Sequence, residues 1–584
     1  MKSNLGYNRF LLLVAGLGGL LFGVDVGIIA GALPYLQDTA PLTANQLSFI
    51  AAAVLLGGVF STLFAGALAD LLGRKTMMIV AGLLFVIGVP IIASSHSYGG
   101  LITGRLLQGI SGGTIGVVVP LYLAECLAAS NRGKGTGIFQ WLLTLGIFAA
   151  AIIGFYFSAR VDQVAQLGDA DKLLKFKDTA WRSIFWVSLP PGILYVIGGF
   201  FVSESPRWLF RRGKKDAALR ALLRSRSQEQ AAIEMQEMEE IAARETSHSA
   251  AGVTKNDSLL QRKYVLPFVL TCIILACNQA TGVNSIIMYN TDLLFQAGLG
   301  DKPAHFGQVL LTLVNFLATM GGVALVDRKG RKFLFSLGTI GIIVSMLCVG
   351  FVFQKTESQR VDVKNAVQSL VIASNQTAVV TFDDAAAAHW LAQSGKTIAQ
   401  PKSLVVIYSY GDFQAATKVV RSDEAGAKLV LDRNSCLPAN KVSAFFKNPF
   451  ANLDASRTAP LKIEHALITP VPSSRNGWLT AIFIYCFMAS FAVGPGVCVW
   501  LALSELMPTR IRSKGMSIAL FINVAISAGI AGVFLPTVGQ YGYSTMFFIF
   551  AGCTVVYFIT VTFLLPETKG KTLEEIEQHF SSGH

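Results

Sequence analysis

Charged residues are scarce in this chain of 584 residues. Only 14% are Asp, Glu, Lys or Arg, and 53% are hydrophobic, whereas a soluble domain has about 25% charged residues. This excludes an ordinary soluble domain and predicts a polytopic membrane protein. The net charge of +13 does not indicate nucleic-acid binding, because Lys and Arg cluster in short loops between apolar runs, as the positive-inside rule requires.

Paired cysteines and metal-ligand patterns are also lacking. Of the eight cysteines, only Cys436 lies in a polar region, and there is no CxxC pair. Neither a disulfide framework nor a zinc site is therefore expected. No nucleophile–base or metal constellation is present either, so we expect no enzymatic activity and no cofactor.

Long apolar runs are abundant. Runs of about 20 apolar residues are candidates for membrane spans, and twelve occur, near residues 10–36, 47–69, 76–95, 99–127, 135–158, 181–202, 264–296, 305–327, 333–354, 478–506, 514–539 and 543–565. The loops rich in Lys and Arg fall on the same side as both termini. This pattern predicts a multi-pass protein of the cell (inner or plasma) membrane with both termini in the cytoplasm.

The two halves of the chain repeat each other. "GALADLLGRK" follows the second span and "GGVALVDRKGRK" follows the eighth, while "AECLAASNRGK" and "SELMPTRIRSK" follow the fourth and tenth. A repeat of six spans places a binding site at the interface of the halves in transporters. We predict an all-α membrane protein of two six-helix bundles, divided into an N-terminal bundle (1–205), a cytoplasmic helical linker (206–261), spans seven to nine (262–354), an outward-facing insert (355–477), spans ten to twelve (478–566) and a cytoplasmic tail (567–584).

The insert and the linker have different compositions. Residues 206–261 are rich in Ala, Glu and Arg, which favours short amphipathic helices. The insert has β-like runs such as "SLVVIYSY" and "AKLVLD" between Ala-rich stretches. It is expected to be a small α/β domain, and the sequence leaves its role open.

Six motifs occur in order along the chain, each on the expected side of the membrane. They are "GRK" after spans two and eight, "SESPRWL" after span six, "LPETKGKTLEEIE" after span twelve, "GRLLQGISGG", "NQATGVNSIIMY" and "VGPGVCVW". This set resembles the sugar porter family of the major facilitator superfamily, over the whole chain except 355–477. The resemblance implies the major facilitator fold and transport of a monosaccharide or polyol by alternating access, most simply as a monomer.

Polar residues inside the spans indicate the class of substrate. A sugar is neutral and bears many hydroxyls, so amides that both donate and accept suit it, and an indole suits the apolar face of its ring. The resemblance implies sugar contacts for Gln140, Asn278, Gln279, Asn284, Asn315 and Trp500. The alternative is that these side chains only hydrogen-bond between helices.

The chain departs from the family at several of these positions. Asn278 stands where a Gln is usual, Met288 where a Tyr is usual, and Ala492 where a Glu is frequent. Asn523 is followed by Val524, where glucose transporters tend to carry Trp. These differences put glucose itself in more doubt than a polyol of monosaccharide size.

Asp25 lies near the middle of the first span, where an unpaired carboxylate costs at least ~2.5–3.5 kcal/mol. Glycines at four-residue spacing, Gly19 to Gly31, form a stripe for close helix packing, and Asp25 points away from it. Its expected partner is Arg105 of the fourth span. The resemblance implies that this pair couples a proton to sugar entry, because facilitative carriers typically have Asn in place of the Asp. The alternative is a static ion pair that fixes helix geometry.

Charged residues at the cytoplasmic helix ends resemble a conformational gate. We expect ion pairs of Asp70 with Arg74, Glu125 with Arg132, Glu204 with Arg207, Asp327 with Arg331, Glu505 with Arg510 or Arg512, and Glu567 with Lys569. Such pairs would latch the halves together while the site faces outward. The alternative is that they serve as ordinary topology anchors.

The leading hypothesis is therefore a proton-coupled monosaccharide or polyol symporter. A facilitative sugar uniporter and a proton/myo-inositol symporter are the near alternatives. A drug exporter would need an apolar cavity, and a non-transporting sugar receptor would need a signalling domain that the sequence does not show. The expected partners are the substrate, protons and the lipid bilayer.

Overall fold

The computed structural model describes residues 5–40, 42, 44–127, 129–250, 262–397, 401–417, 419–423, 428–438, 440–441, 444, 448, 450–508, 511–571, 575–576 and 579–580. Within these residues, twelve helical stretches are long and apolar enough to cross a membrane. Each overlaps one predicted span, so the predicted fold class is confirmed.

The spans are numbered 1 to 12 along the chain. Their helices are Leu5–Thr39, Ala44–Leu72, Arg74–Ala93, Tyr98–Cys126, Ala129–Ala165, Ala170–Trp186 with Leu189–Phe201, Arg262–Ala280 with Val283–Gln296, Asp301–Lys329, Arg331–Glu357, Ser474–Val493 with Pro495–Glu505, Arg512–Tyr541, and Tyr543–Ile559 with the π-helix Thr560–Leu564. A chain with twelve crossings has both termini on one side, the terminal side. The insert between spans 9 and 10 then lies on the other, the insert side.

Spans 6, 7 and 10 each consist of two helices. Span 7 breaks at Gly282, which has φ +81°, and a Cβ there would lie within 2.6 Å of the Phe550 ring. Span 10 breaks at Gly494, just before Pro495. The break in span 7 lies between Gln279 and Asn284, whose side chains hydrogen-bond to each other across it.

The glycine stripe of span 1 packs against span 5. A Cβ on Gly23 would lie 1.9 Å from the carbonyl oxygen of Leu143, and one on Gly19 would lie 2.2 Å from that of Phe139. Only glycine permits this approach. It also fixes the rotation of span 1, which turns Asp25 toward span 4.

The two halves meet along two pairs of spans. Span 5 packs against span 8, and span 2 against span 11. The backbone N–H of Gly66 in span 2 donates to Ser517 Oγ of span 11 at 2.8 Å. This bond ties the halves on the terminal side.

The described part of the linker between the halves, residues 206–250, contains the helices Pro206–Arg211, Lys215–Ser225 and Gln228–Ala250. Arg226 donates to the carbonyl oxygen of Cys126 at 2.6 Å and pairs with Glu234 at 2.7 Å. The linker is thereby docked on the end of span 4.

The insert is a small α/β unit with its own hydrophobic core. Its strands are β1 Val361–Asp362, β2 Ala378–Thr381, β3 Lys402–Tyr410, β4 Phe413–Ala416, β5 Val420–Arg421, β6 Lys428–Leu431 and β7 Leu461–Pro470; its helices are Lys364–Gln368, Asp384–Gln393, Arg433–Cys436 and Leu453–Thr458. One sheet has the order β1-β7-β3-β4, with β5 also pairing with β3, and β2 pairs with β6 in a second sheet; all pairs are antiparallel.

The insert packs against the ends of several spans on the insert side. Arg421 donates to the carbonyl oxygen of Leu299 at 3.1 Å, and its guanidinium lies 4.9 Å from the centre of the Phe295 ring of span 7. Strands β3 and β4 approach span 11, and the helix Arg433–Cys436 approaches span 2, with Cα atoms within 8 Å. The insert therefore contacts both halves of the molecule.

Candidate functional site

A cavity of about 170 Å³ lies between the two halves. Spans 1, 2, 4 and 5 line it from the first half, and spans 7, 8, 10 and 11 from the second. A water molecule needs about 10–15 Å³ on this measure, so the cavity has room for about a dozen atoms of that size. This is the size of a monosaccharide.

All six residues that the resemblance nominates for sugar contacts line this cavity: Gln140, Asn278, Gln279, Asn284, Asn315 and Trp500. The indole N–H of Trp500 donates to Gln140 Oε1, which joins span 10 to span 5. The Asn284 side-chain amide donates to Gln279 Oε1 at 2.9 Å across the break in span 7. The structure thus brings together side chains that are up to 360 residues apart.

Span 11 adds polar residues that sequence reasoning did not nominate for binding. Asn523 Oδ1 accepts a hydrogen bond from Gln279 at 3.1 Å, and Ser527 Oγ accepts one from Asn284 at 2.8 Å. Asn523 was noted only as a departure from the family, and Ser527 was missed. Their spacing of four residues puts them on one helix face, and this was the available signal.

The lining suits a neutral, hydroxylated molecule. The amides offer donors and acceptors together, while Phe22, Leu143, Phe491 and the Trp500 ring supply apolar surface. Asp25 is the only charged residue among those that line the cavity. The arrangement can bind a polyol in several hydrogen-bonding patterns and has no fixed positive charge for an anion.

Asp25 and Arg105 form a buried ion pair. Arg105 Nη1 lies 3.3 Å from Asp25 Oδ1, and the side chains are only 2% and 1% exposed. Arg105 also donates to Gln108 Oε1 at 2.9 Å, and its guanidinium lies 5.8 Å from the centre of the Phe185 ring. The pair therefore lies in the cavity wall, with Asp25 on the cavity side.

Charged side chains at the terminal side of the first half form one network. Arg74 pairs with Asp70 at 2.8 Å and with Glu125 at 2.9 Å, and Ser205 donates to Glu125. Glu204 accepts the backbone N–H of Arg74 at 2.9 Å. The network fastens the ends of spans 2, 3, 4 and 6 to one another.

The second half repeats this network. Arg331 pairs with Asp327 at 3.4 Å and with Glu505 at 3.2 Å, and Thr568 donates to Glu505 at 2.8 Å. Glu567 accepts the backbone N–H of Arg331 at 3.1 Å. Thr568 and Glu567 thus stand where Ser205 and Glu204 stand in the first half.

Several expected pairings have different partners. Glu567 accepts the backbone N–H of Lys569, while the Lys569 ammonium donates to the carbonyl oxygen of Arg328, so the expected Glu567–Lys569 ion pair is replaced by a backbone contact. Glu204 accepts the backbone N–H groups of Arg74 and Lys75 at the start of span 3, and its expected ion pair with Arg207 stays a prediction.

The partners of two further predicted gate residues cannot be assigned. The Arg132 side chain and Arg510 lie outside the described residues. Arg512 donates to the carbonyl oxygen of Met507 at 3.2 Å. The ion pairs described among the gate residues join charges of the same half, so a latch between the halves stays a prediction.

A glycine precedes the carboxylate-capped helix in each network. Gly73, with φ +100°, precedes span 3, and Gly330, with φ +90°, precedes span 9. A Cβ would lie 2.3 Å from Glu204 Oε2 at the first and 2.4 Å from Glu567 Oε2 at the second. Each glycine both turns the chain and leaves room for the carboxylate, and Gly542 with Glu357 repeats the arrangement before span 12 on the insert side.

Comparison with known proteins places this geometry among transporters. The sequence profile of the family described as "Sugar (and other) transporter" matches residues 11–382 and 463–580. The chain is 25% identical over 574 residues to the glucose transporter GlcP of Staphylococcus epidermidis, covering 98% of this chain and 97% of that protein. It is 27% identical over 586 residues to the proton myo-inositol cotransporter of Homo sapiens, covering 97% and 81%.

Solved structures share the fold. The major facilitator superfamily proton:xylose symporter XylE, bound to 6-bromo-6-deoxy-D-glucose, superposes with a TM-score of 0.67 at 21% identity, covering 99% of this chain and all of that one. The profile match leaves out 383–462, most of the insert. The family match thus covers the membrane-spanning part of the chain and leaves out most of the insert.

Proposed function

The chain belongs to the family of sugar (and other) transporters, and from that premise we propose that it carries a monosaccharide or related polyol across the membrane together with a proton. It is a multi-pass membrane transporter rather than an enzyme. The proposal goes beyond family membership in three respects. It specifies the substrate class, the coupling ion and the side of the membrane on which the two termini lie.

The cavity between the halves carries the substrate part of the proposal. Its amides come from both halves, with Gln140 in the first and Gln279 and Asn284 in the second. A substrate held by both halves favours their closure around it, and opening on either side then requires contacts with one half to break. This is the requirement for alternating access.

Asp25 carries the coupling part. It lies in the cavity wall, paired with Arg105. A carboxylate that takes up a proton at this place loses its charge and its hold on the guanidinium, so the wall changes when a proton arrives. Two named relatives are proton-coupled by their descriptions, the proton myo-inositol cotransporter and the proton:xylose symporter.

The orientation belongs to the same proposal. With the terminal side in the cytoplasm of the cell membrane, the insert faces outward and the charge networks face inward. Protease digestion of intact cells would then cut the insert and spare the linker, and the reverse pattern would overturn this orientation.

Uptake into proteoliposomes tests the coupling. Purified protein should concentrate a labelled sugar when the lumen is alkaline and should only equilibrate it without a pH gradient. Equal accumulation in both conditions would overturn coupling and leave a facilitative uniporter. Asp25→Asn should abolish concentrative uptake and preserve counterflow exchange, because it removes the proton site and keeps the shape; loss of both would indicate a structural role.

Cyclic polyols such as myo-inositol are the second candidate class of substrate. The observation that favours them is the polar face of span 11, where Asn523 and Ser527 line the cavity and extend the hydrogen-bonded amides of span 7. An inositol carries a hydroxyl on every ring carbon and therefore uses donors and acceptors all round. A thermal-shift panel of pentoses, hexoses and inositols decides between the classes by which one stabilises the protein at the lowest concentration.

A further inference from the structure

Arg105 has a second partner that the coupling argument does not use. Its Nη1 atom lies 2.9 Å from Gln108 Oε1, closer than the 3.3 Å to Asp25 Oδ1. Gln108 is three residues further along span 4 and is fully buried. The guanidinium is therefore held on its own helix as well as by the carboxylate of span 1.

Proton uptake by Asp25 creates a problem at Arg105. Arginine does not lose its proton in proteins, so a neutral Asp25 leaves a buried cation behind, which is costly when it is unpaired. The groups that remain against it are the Gln108 carbonyl and the face of the Phe185 ring. A side-chain carbonyl and an aromatic face both stabilise a guanidinium.

We propose that Gln108 is a positioning residue for proton coupling: it holds the Arg105 guanidinium while Asp25 is protonated, and thereby sets the pH at which Asp25 takes up its proton. The inference rests on the proposed coupling. It assigns to Gln108 a role in proton binding and none in substrate contact.

The placement of Gln108 separates these two roles. Asp25 lines the cavity, whereas Gln108 and Arg105 are not among the lining residues. The Gln108 Oε1 is used by Arg105, and its Nε2 has no hydrogen-bond partner among the described residues. A change at this position alters the support of Arg105 and leaves the amides that face the substrate in place.

Other charged groups on the elements around Asp25 lie at the ends of the spans. Asp38 on span 1, with its partner Lys177 on span 6, is 13 residues from Asp25, about 20 Å along a helix. Span 4 carries only Arg105 and Glu125, and the remaining charges of spans 1, 2 and 5 lie toward their ends: Arg9, Asp70, Arg132, Lys134, Arg160 and Asp162. Span 6 also carries Asp171, Lys172, Lys175, Asp178 and Arg182. Arg182 pairs with Asp178 and donates to the carbonyl oxygens of Ala93 and Ser95 at the end of span 3. Arg105 is accordingly the charge that acts on Asp25.

Two substitutions at Gln108 should act in opposite directions. Gln108→Leu removes the acceptor, so Arg105 depends more on the Asp25 carboxylate, and the pH of half-maximal concentrative uptake should move to the acid side by about one pH unit. Gln108→Glu supplies a permanent carboxylate to Arg105 and a like charge near Asp25. That pH should then move to the alkaline side by about one unit or more.

The experiment measures concentrative uptake in proteoliposomes across a pH series, with KM for the sugar determined at the most acidic pH. KM should stay within about twofold of the wild-type value in both variants, because neither touches the cavity. Ser111→Ala is the matched control: Ser111 lies one turn further along span 4, is fully buried and has no hydrogen-bond partner among the described residues. It should leave the pH profile unchanged.

Each result has a defined meaning. Shifts of opposite sign with an unchanged control support the inference. Unshifted profiles, shifts in the same direction, or an equal shift in Ser111→Ala would overturn it while leaving coupling intact. If Gln108→Leu does not fold, Gln108→Glu, which keeps the size of the side chain, still gives the alkaline shift or refutes it. A wild type that ignores the pH gradient would overturn the proposed coupling itself, and this inference with it.

Discussion

Replacing Gly73 by alanine should destabilise the protein through the carboxylate of Glu204, which is 131 residues away in the chain. Gly73 has φ +100° and ψ 155°, a region that only glycine adopts readily, and other residues held in such regions cost about 1–3 kcal/mol. The added Cβ would also lie 2.3 Å from Glu204 Oε2. The side chain of Glu204 must therefore move.

The size of the effect follows from what Glu204 holds. Its carboxylate accepts the backbone N–H groups of Arg74, Lys75 and Ser205. A hydrogen bond to a charged group contributes about 1.5–3 kcal/mol, and water at the end of the span replaces part of what is lost. Losing the equivalent of one such bond, together with the backbone cost, gives a loss of about 3–5 kcal/mol in the free energy of unfolding.

Gly168→Ala is a control at a positive-φ glycine without a steric clash. Gly168 has φ +73°, and no atom lies within 4 Å of the place where its Cβ would be, so this variant should lose only about 1–2 kcal/mol. Denaturant titration in detergent micelles, followed by tryptophan fluorescence, measures both losses.

A double-mutant cycle supplies the refutation. In a Glu204→Ala background, the cost of Gly73→Ala should fall to its backbone contribution of about 1–3 kcal/mol, because there is no longer a carboxylate to displace. An undiminished cost in that background, or equal losses in Gly73→Ala and Gly168→Ala, would refute the reasoning.

Two more expectations follow from the terminal side and the insert. Burial raises the pKa of Glu204 above its ordinary range, against the lowering effect of the N–H groups that it accepts. A raised folded-state pKa gives stability that is present below the unfolded pKa and is lost as pH rises through the folded one. The difference in unfolding temperature between the wild type and Glu204→Gln should therefore shift in favour of the wild type as the pH is lowered from neutral toward the ordinary Glu pKa of 4.5; an unchanged difference would contradict this expectation. Excising residues 361–468 behind a short Gly-Ser link should leave substrate affinity within about threefold and raise the uptake rate, because the insert contacts spans 2 and 11 of opposite halves; lost binding would instead show that the insert belongs to the site. The excision is feasible because Val361 and Ile468 are paired neighbours on β1 and β7.

Hydropathy predicted the twelve spans because the requirement for an apolar stretch is local to each helix. It missed the polar extensions of spans 5 and 6. Span 5 runs on to Ala165, and span 6 begins at Ala170 behind the cap of Asp169, which accepts the N–H of Lys172. Helix propensity and capping decide those ends, and no apolar run marks them.

The resemblance identified six residues that line the cavity. The sequence could not predict which of these residues hydrogen-bond to one another. Gln140 and Trp500 were nominated separately, and their contact depends on how spans 5 and 10 pack across the two halves. The carboxylates Glu204 and Glu567 were paired with nearby basic residues, whereas they cap helices that begin more than 100 residues earlier. Charge patterns show that a partner is needed, and only the packing shows which one is near.

The two charge networks have a mechanical consequence. Each ties the ends of its own spans together through Arg74 in one half and Arg331 in the other, so each bundle is stiff where it would otherwise splay. In the proposed alternating access, the two bundles should therefore move relative to each other at the contacts of span 2 with span 11 and of span 5 with span 8. Side chains at these contacts, such as Ser517, would then form the surface along which the bundles move.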